Sequence, residues 1–380
     1  MERTVDGVIV LDYADLLSGA DLSAQIEAAF GDGPDALGAL FVKNVPDYQS
    51  RRLQLLPFAS KYAALPDTIK ATRLSFVLTR ACCLGPSFSL PDTQQAKTTH
   101  PESSFSFGWS HGKEKFDGKL DVAKGSYYAN PQYDVPTTDP ELIKSLPELC
   151  SNNIWPEEDC PGFGDAFKNL GRLIVSVGEL LGKQCDSYAE RHLPGHKAHI
   201  YESIARSRTC KGRVLHYFPQ ASAAIPAAAA GAGDDSQYAS WCGWHLDNSA
   251  LTGLTRAMYL DPQHNEVECP DPDAGLYIRS RSGKVVRVSI PADMLAFQMG
   301  ESTQIRSGGK LRATPHCVRG AMGEKAVGIS RNTFAVFMQP HWDETLDAPA
   351  GATVEDVAVP QWKAGMTFGE FLKSVFTYTY

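Results

Sequence analysis

The chain opens on an apolar run, Gly7-Val8-Ile9-Val10-Leu11-Asp12, which predicts a strand. Residues 22–30 read as a short helix with Asp21 at its N-cap, and Ala39-Leu40-Phe41-Val42 as a second strand stopped by Asn44 and Pro46. Residues 47–65 place Leu53, Leu56, Phe58, Tyr62 and Leu65 at helical spacing, with a kink or break expected at Pro57. Residues 85–160 are rich in Pro, Gly, Ser and Asp, lack a clear period, and predict loops with short strands. The clearest helical pattern covers 163–182, where Phe163, Phe167, Leu170, Ile174, Val177 and Leu181 share one face.

From about residue 203 the pattern changes to short apolar stretches separated by turns. The run from Arg213 to Phe218 predicts a strand ended by Pro219, and 221–236 is a low-complexity Ala/Gly insertion between strands. Further strands are expected at 250–260, 275–279, 285–290, 294–299, 302–306 and 333–339, with a last helix at 367–377. Many short strands at close spacing point to a sandwich or barrel, not to a parallel sheet with crossover helices.

Composition narrows the class. The 380 residues are 43% hydrophobic and 21% charged, as in a folded globular chain. With 36 Lys+Arg against 44 Asp+Glu the net charge is −8, which disfavours a duplex nucleic-acid partner. No apolar run approaches the ~20 residues needed to span a bilayer, and the N-terminus lacks a signal-peptide pattern. Nine cysteines at irregular spacing, without a CxxC, suit a reduced cytoplasmic protein. Oligomeric state is left open.

The ten histidines carry the candidate chemistry. Two histidines and a carboxylate can hold non-haem Fe(II) on one face and leave positions open, with two of the ligands supplied by an H-x-D/E motif. Three such motifs occur. His341-Trp342-Asp343 has no later histidine, and His264-Asn265-Glu266 lies in a polar loop pattern. His245-Leu246-Asp247 is followed directly by the strand pattern SALTGLTRAMYL, with His316 71 residues after His245. Fifteen residues beyond His316, Arg331 and Thr333 stand two apart on an expected strand and point to one side. A guanidinium fork and a hydroxyl so placed suit a carboxylate. A metal next to such a pair is what a 2-oxo-acid co-substrate needs.

These motifs, GRVLHYFP, WHLDNSALTGLTRAMYL, VRVSIPADMLAFQMGESTQIRSGGKLRATPHCVRG and SRNTFAVFMQP, resemble in order those of the Fe(II)/2-oxoglutarate-dependent dioxygenase superfamily, in its isopenicillin N synthase-like branch. The resemblance covers most of the chain and is strongest over 213–340. It implies a mainly β fold, a double-stranded β-helix (jelly roll) with flanking helices. It implies a mixed α/β region at 1–200 packing on the core, a catalytic core at 201–345, and a C-terminal segment with a helix at 346–380, together one integrated domain. His245, Asp247 and His316 match the iron ligands, and Arg331 and Thr333 the residues that bind the 2-oxoglutarate carboxylate. The implied chemistry uses Fe(II), 2-oxoglutarate and O2, admits ascorbate, and oxidises a small molecule with release of succinate and CO2. Departures are Thr333 for serine, Phe218 for a co-substrate-binding tyrosine, His216 for asparagine and Cys317 for arginine. Arg256, Tyr217 and Phe218 are candidate substrate contacts. Two other readings stay open, an oxidase of the same fold that does not use 2-oxoglutarate and a non-catalytic binding relative.

Several residues are set aside. His192, His196 and His199 resemble a metal cluster, but Pro194 and Gly195 break the helix that would align them. His111 reads as a loop residue and Trp244 as packing, and Cys317 points away from the face that His316 uses.

Overall fold

A computed structural model describes residues 1–66, 98–113, 115–116, 119–220, 238 and 241–379. The Ala/Gly insertion, Cys82 and Cys83 lie outside the described residues. The strands of the N-terminal half are β1 (Glu2–Arg3), β2 (Ile9–Asp12), β3 (Ala39–Lys43), β4 (Gly108–His111), β5 (Lys115–Phe116), β6 (Lys119–Leu120) and β7 (Lys124–Ala129). Next come β8 (Lys211–Tyr217), β9 (Cys242–His245), β10 (Leu251–Leu254), β11 (Met258–Leu260) and β12 (Glu266–Val267). The last are β13 (Gly275–Arg279), β14 (Val285–Val288), β15 (Leu295–Met299), β16 (His316–Arg319) and β17 (Ser330–Met338).

A large sheet runs in the order β1-β2-β3-β15-β10-β17-β8-β7-β4, with β11 also on β17 and β12 on β11. A smaller sheet runs β14-β13-β16-β9. Neighbours pair antiparallel, save β2 and β3, which run parallel. The sheets meet where Ala39, Phe41 and Ala296 pack on Leu276, Ile278 and Val288. This is the expected jelly roll, two sheets around one interior. β1–β3 and the β4–β7 pair extend its large sheet on both sides.

The period of two decides what each strand offers. Leu40, Phe297, Leu251, Val214, Phe334 and Val336 leave the outer face of the large sheet and join a core with the helices. The main partner is the helix Phe163–His192, longer than the expected 163–182 because Cys185, Tyr188 and Ala189 continue its buried face. It lies hard against β10. A Cβ on Gly253 would stand 2.2 Å from Ile174 Cγ2, so only glycine fits there.

Other expectations need correction. The helix Tyr48–Ala63 continues through Pro57. The carbonyl freed by the missing N–H belongs to Leu53, which is 52% exposed and not buried as expected. The predicted strand 302–306 is instead the buried helix Glu301–Arg306. The Ser302 hydroxyl donates to the Asn248 carbonyl and the Thr303 hydroxyl to that of Ala250, which ties this turn to the neighbouring strand. The run 250–260 divides into β10 and β11. The helix Ser23–Phe30 has Leu22, not Asp21, at its N-cap, and Asp21 accepts from the Ser23 N–H. Within 85–160, the helices Pro140–Ser145 and Pro147–Cys150 appear, the first capped by Asp139. Among the described residues no helix is long and apolar enough to cross a membrane.

Candidate metal centre and its cavities

β9 ends on His245 and β16 begins on His316, and the two residues are cross-strand partners. Their ring centroids lie 4.2 Å apart. Asp247 follows in the turn towards β10, where its carbonyl accepts from the Glu301 N–H at 2.8 Å. Its Oδ1 stands 3.8 Å from His245 Nε2 and 3.9 Å from His316 Nε2. One ligand atom from each residue lies within 4.8 Å of the others, a spacing that suits a shared ion. Asp247 and His316 are buried, while the His245 side chain is 41% exposed.

The local chain aims these groups. His245 Nδ1 donates to the Gly243 carbonyl at 2.8 Å, and His316 Nδ1 to that of Thr314 at 2.9 Å. Both bonds turn Nε2 towards Asp247, as metal-ligating imidazoles require. Asp247 Oδ2 is buried without a hydrogen-bond partner, an acceptor that a cation would satisfy. Burial, then the neighbouring His245, pushes His316 down to about 4, so its ring is neutral at pH 7. Burial opposes charge on His245 too, but Cys242 and Asp247 outweigh it and raise this ring to about 9. Gly300 supports the turn from below. A Cβ there would lie 2.0 Å from the Ser249 carbonyl oxygen and 3.0 Å from that of Asp247.

A narrow chamber between the sheets joins the triad to Arg331 and Thr333. On β17 these two face the chamber, paired with Tyr217 and Leu215 of β8. The Arg331 guanidinium sits 5.0 Å from the Tyr217 ring centre and 5.8 Å from that of Trp241. Its Nε and Nη1 are buried without hydrogen-bond partners. Two unspent donors on a buried cation fit an incoming carboxylate.

Parity sends the intervening residues the other way. Asn332 accepts from His216 Nδ1 at 2.7 Å and donates to the Leu56 carbonyl at 2.9 Å, both within the helix-side core. Phe218 shares that side, its ring 4.8 Å from those of His216 and His111. Of the two adjacent aromatic residues, Tyr217 faces the chamber. Arg256 lies on a separate cleft beyond Arg331, where its Nη2 donates to Glu268 at 3.1 Å.

A second cavity of about 640 Å³ opens on the other side of the triad, in the size range of small-molecule sites. Lys211, Arg213, Tyr128 and Phe337 line it together with His245 and Asp247. Lys211 and Arg213 are not among the sequence-predicted site residues. Their signal was parity, since 211, 213, 215 and 217 alternate with His216 along one strand.

The remaining candidates lie apart from this centre. His341 donates to Asp343 at 2.6 Å, and His264 sits in a turn at φ 64°. His192, His196 and His199 donate respectively to the Tyr188 carbonyl, the Arg306 carbonyl and Glu202. His111 bonds the Val122 carbonyl, Trp244 packs under the Arg279 guanidinium, and Cys317 Sγ donates to the Tyr238 carbonyl.

No protein-family signature matches the chain, and no curated protein matches its sequence. Solved structures do match its fold. A full-length Neurospora crassa protein, crystallised in complex with alpha-KG, aligns over 98% of this chain and 96% of its own, with a TM-score of 0.62 and 16% identity. A 2OG-Fe(II) oxygenase family protein from Caulobacter crescentus aligns over 98% and 99%, with a TM-score of 0.62 and 15% identity. JOX2, crystallised with 2OG, Fe and JA, aligns over 98% and 84%, with a TM-score of 0.58 and 13% identity. The chain thus has the jelly-roll fold of the 2-oxoglutarate- and Fe(II)-dependent oxygenases.

Proposed function

We propose that this protein is an Fe(II)- and 2-oxoglutarate-dependent oxygenase. It hydroxylates or desaturates a small organic substrate, using O2 and releasing succinate and CO2. The observation that carries this reading is one chamber with a His-Asp-His triad at one end and a buried guanidinium with unspent donors at the other. His245, Asp247 and His316 would hold the iron, which when bound supplies the redox centre for O2 and the 2-oxo acid. Arg331 and the Thr333 hydroxyl would bind the far carboxylate of the co-substrate. Tyr217 and Trp241 flank the guanidinium and keep water from it. Phe218 faces the helix layer, so its lack of a hydroxyl takes nothing from the chamber. The larger cavity leaves space for the substrate beside His245. The Neurospora protein has also been crystallised in complex with alpha-KG and thymine, and with alpha-KG and 5-formyluracil, which supports a small molecule as the substrate here.

The test is direct. Purified protein given Fe(II), 2-oxoglutarate and O2 forms succinate and CO2, and the Asp247→Ala protein does not. A wild-type protein that binds Fe(II) yet leaves 2-oxoglutarate intact sinks the reading.

A further inference from the structure

We propose that Gln298 binds the co-substrate, donating through Nε2 to the carboxylate at the keto-acid end of the 2-oxo acid. The proposal rests on the oxygenase reading above and deepens it. Gln298 is 1% exposed on β15, and neither its Nε2 nor its Oε1 has a hydrogen-bond partner. A buried amide with both ends unspent is costly, and native interiors hold few of them. An apolar side chain of the same size would remove that cost, so stability alone does not select the amide. Among the described residues, three side chains on the inner chamber carry unspent polar atoms, Asp247, Gln298 and Arg331. Asp247 is assigned to the metal and Arg331 to the far carboxylate of the co-substrate. Gln298 is the one left over.

Parity and register place this amide at the metal end. Ala296 shares its face of β15, while Phe297 and Met299 turn to the helices. Gln298 pairs with Thr252 of β10, and Thr252 with Phe337 of β17. Arg331 stands six residues from Phe337 along β17, about 20 Å at ~3.3 Å per residue. Two residues after Gln298, Gly300 packs under the turn that carries Asp247. Ala39, the β3 partner of Gln298, joins one cluster with Ile278, the β13 partner of His316. Thr252, the polar side chain beside it on the ladder, bonds the Ser249 hydroxyl at 2.9 Å instead. Gln298 lines the inner chamber and not the larger cavity assigned to the substrate, so its ligand is the occupant of the chamber. A 2-oxo acid held on Arg331 by its far carboxylate presents its keto-acid end to the triad. The carboxylate there accepts from an amide N–H in a charge-assisted bond. Oε1, which a carboxylate cannot satisfy, is left to accept from water. An amide gives this contact without a second positive charge beside the metal, which would repel the ion.

The experiment reads binding, not turnover. Wild-type protein and Gln298→Met, loaded with Fe(II) without O2, are titrated calorimetrically with three acids of equal carbon number. 2-Oxoglutarate has both ends, 2-oxopentanoate keeps the keto-acid end, and 4-oxopentanoate keeps the far carboxylate. Gln298→Met should weaken 2-oxoglutarate and 2-oxopentanoate alike, about 10- to 100-fold, the value of a hydrogen bond to a charged group. It should leave 4-oxopentanoate within a few-fold. The ligand-free variant should keep or raise its urea midpoint and keep its Fe(II) affinity within a few-fold, which a merely structural amide would not allow. If the Met variant fails to fold, Gln298→Leu takes its place and is read the same way. If both single-ended acids bind too weakly to titrate, 2-oxoglutarate alone decides. Unchanged 2-oxoglutarate binding, or an equal loss for 4-oxopentanoate, overturns the role of Gln298 while leaving the oxygenase reading in place. A wild-type protein that binds Fe(II) but not 2-oxoglutarate overturns both.

Discussion

Arg331 brings a permanent charge into the interior, and two of its donors are unspent. A stability argument alone would select against it, because a buried cation without a full set of partners is costly. Arg331→Leu should therefore leave the urea midpoint of the ligand-free protein unchanged or higher. The same change should weaken 2-oxoglutarate binding about 10- to 100-fold, the value of a hydrogen bond to a charged group. Calorimetric titration with co-substrate and urea unfolding check the two halves separately. Arg331 and Thr333 were legible in the sequence because an i, i+2 pair on a strand is a purely local pattern. The roles of Tyr217 and Phe218 were not. Motif position drew attention to Phe218, whereas the pleat turns its ring to the helices and gives the chamber Tyr217.

At the scale of elements, the turn carrying Asp247 is supported by the start of the helix Glu301–Arg306. Gly300 is extended at φ −109°, a conformation open to any residue, so the demand for glycine there is one of space. Gly300→Ala should cost about 1–3 kcal/mol, since backbone oxygens cannot move aside as a flexible side chain would. It should also lower Fe(II) affinity by displacing Asp247. Unfolding and Fe(II) titration on one variant report both effects, and unchanged iron affinity would show that the turn does not position its carboxylate. The sequence pattern of this segment reads as a strand because Thr303 and Ile305 favour extended structure. The Ser302 and Thr303 hydroxyls instead bond carbonyls of the preceding turn and strand, partners some fifty residues away that no local pattern reveals.

At the scale of the molecule, many thiols and phenols are held in the interior. Burial pushes Cys150 and Cys210 up to about 12, and Tyr48 and Tyr188 to about 12 as well. Their ordinary values are 9.0 for the thiol and 10.0 for the phenol. Between those values and 12, the unfolded chain has released protons that the folded chain keeps. Stability therefore falls as pH rises through this window. The melting temperature should decline progressively from about pH 9 to 11. A flat profile to pH 11 would mean that these groups ionise without unfolding.

The sequence by itself determined the elements whose signal is local, namely the alternating strands, the amphipathic helix over 163–182, the H-x-D turn and the Arg-x-Thr strand. It also pointed to the jelly roll, since motif order follows strand order. The tertiary structure alone decided which face of each strand meets the interior. It alone brought His316 opposite His245 and placed Arg331 and Thr333 on the chamber that the triad lines. The physical reason is that the interior lies between two sheets whose strands come from distant parts of the chain. Distances across it depend on how the sheets pack, and packing is a property of the whole fold.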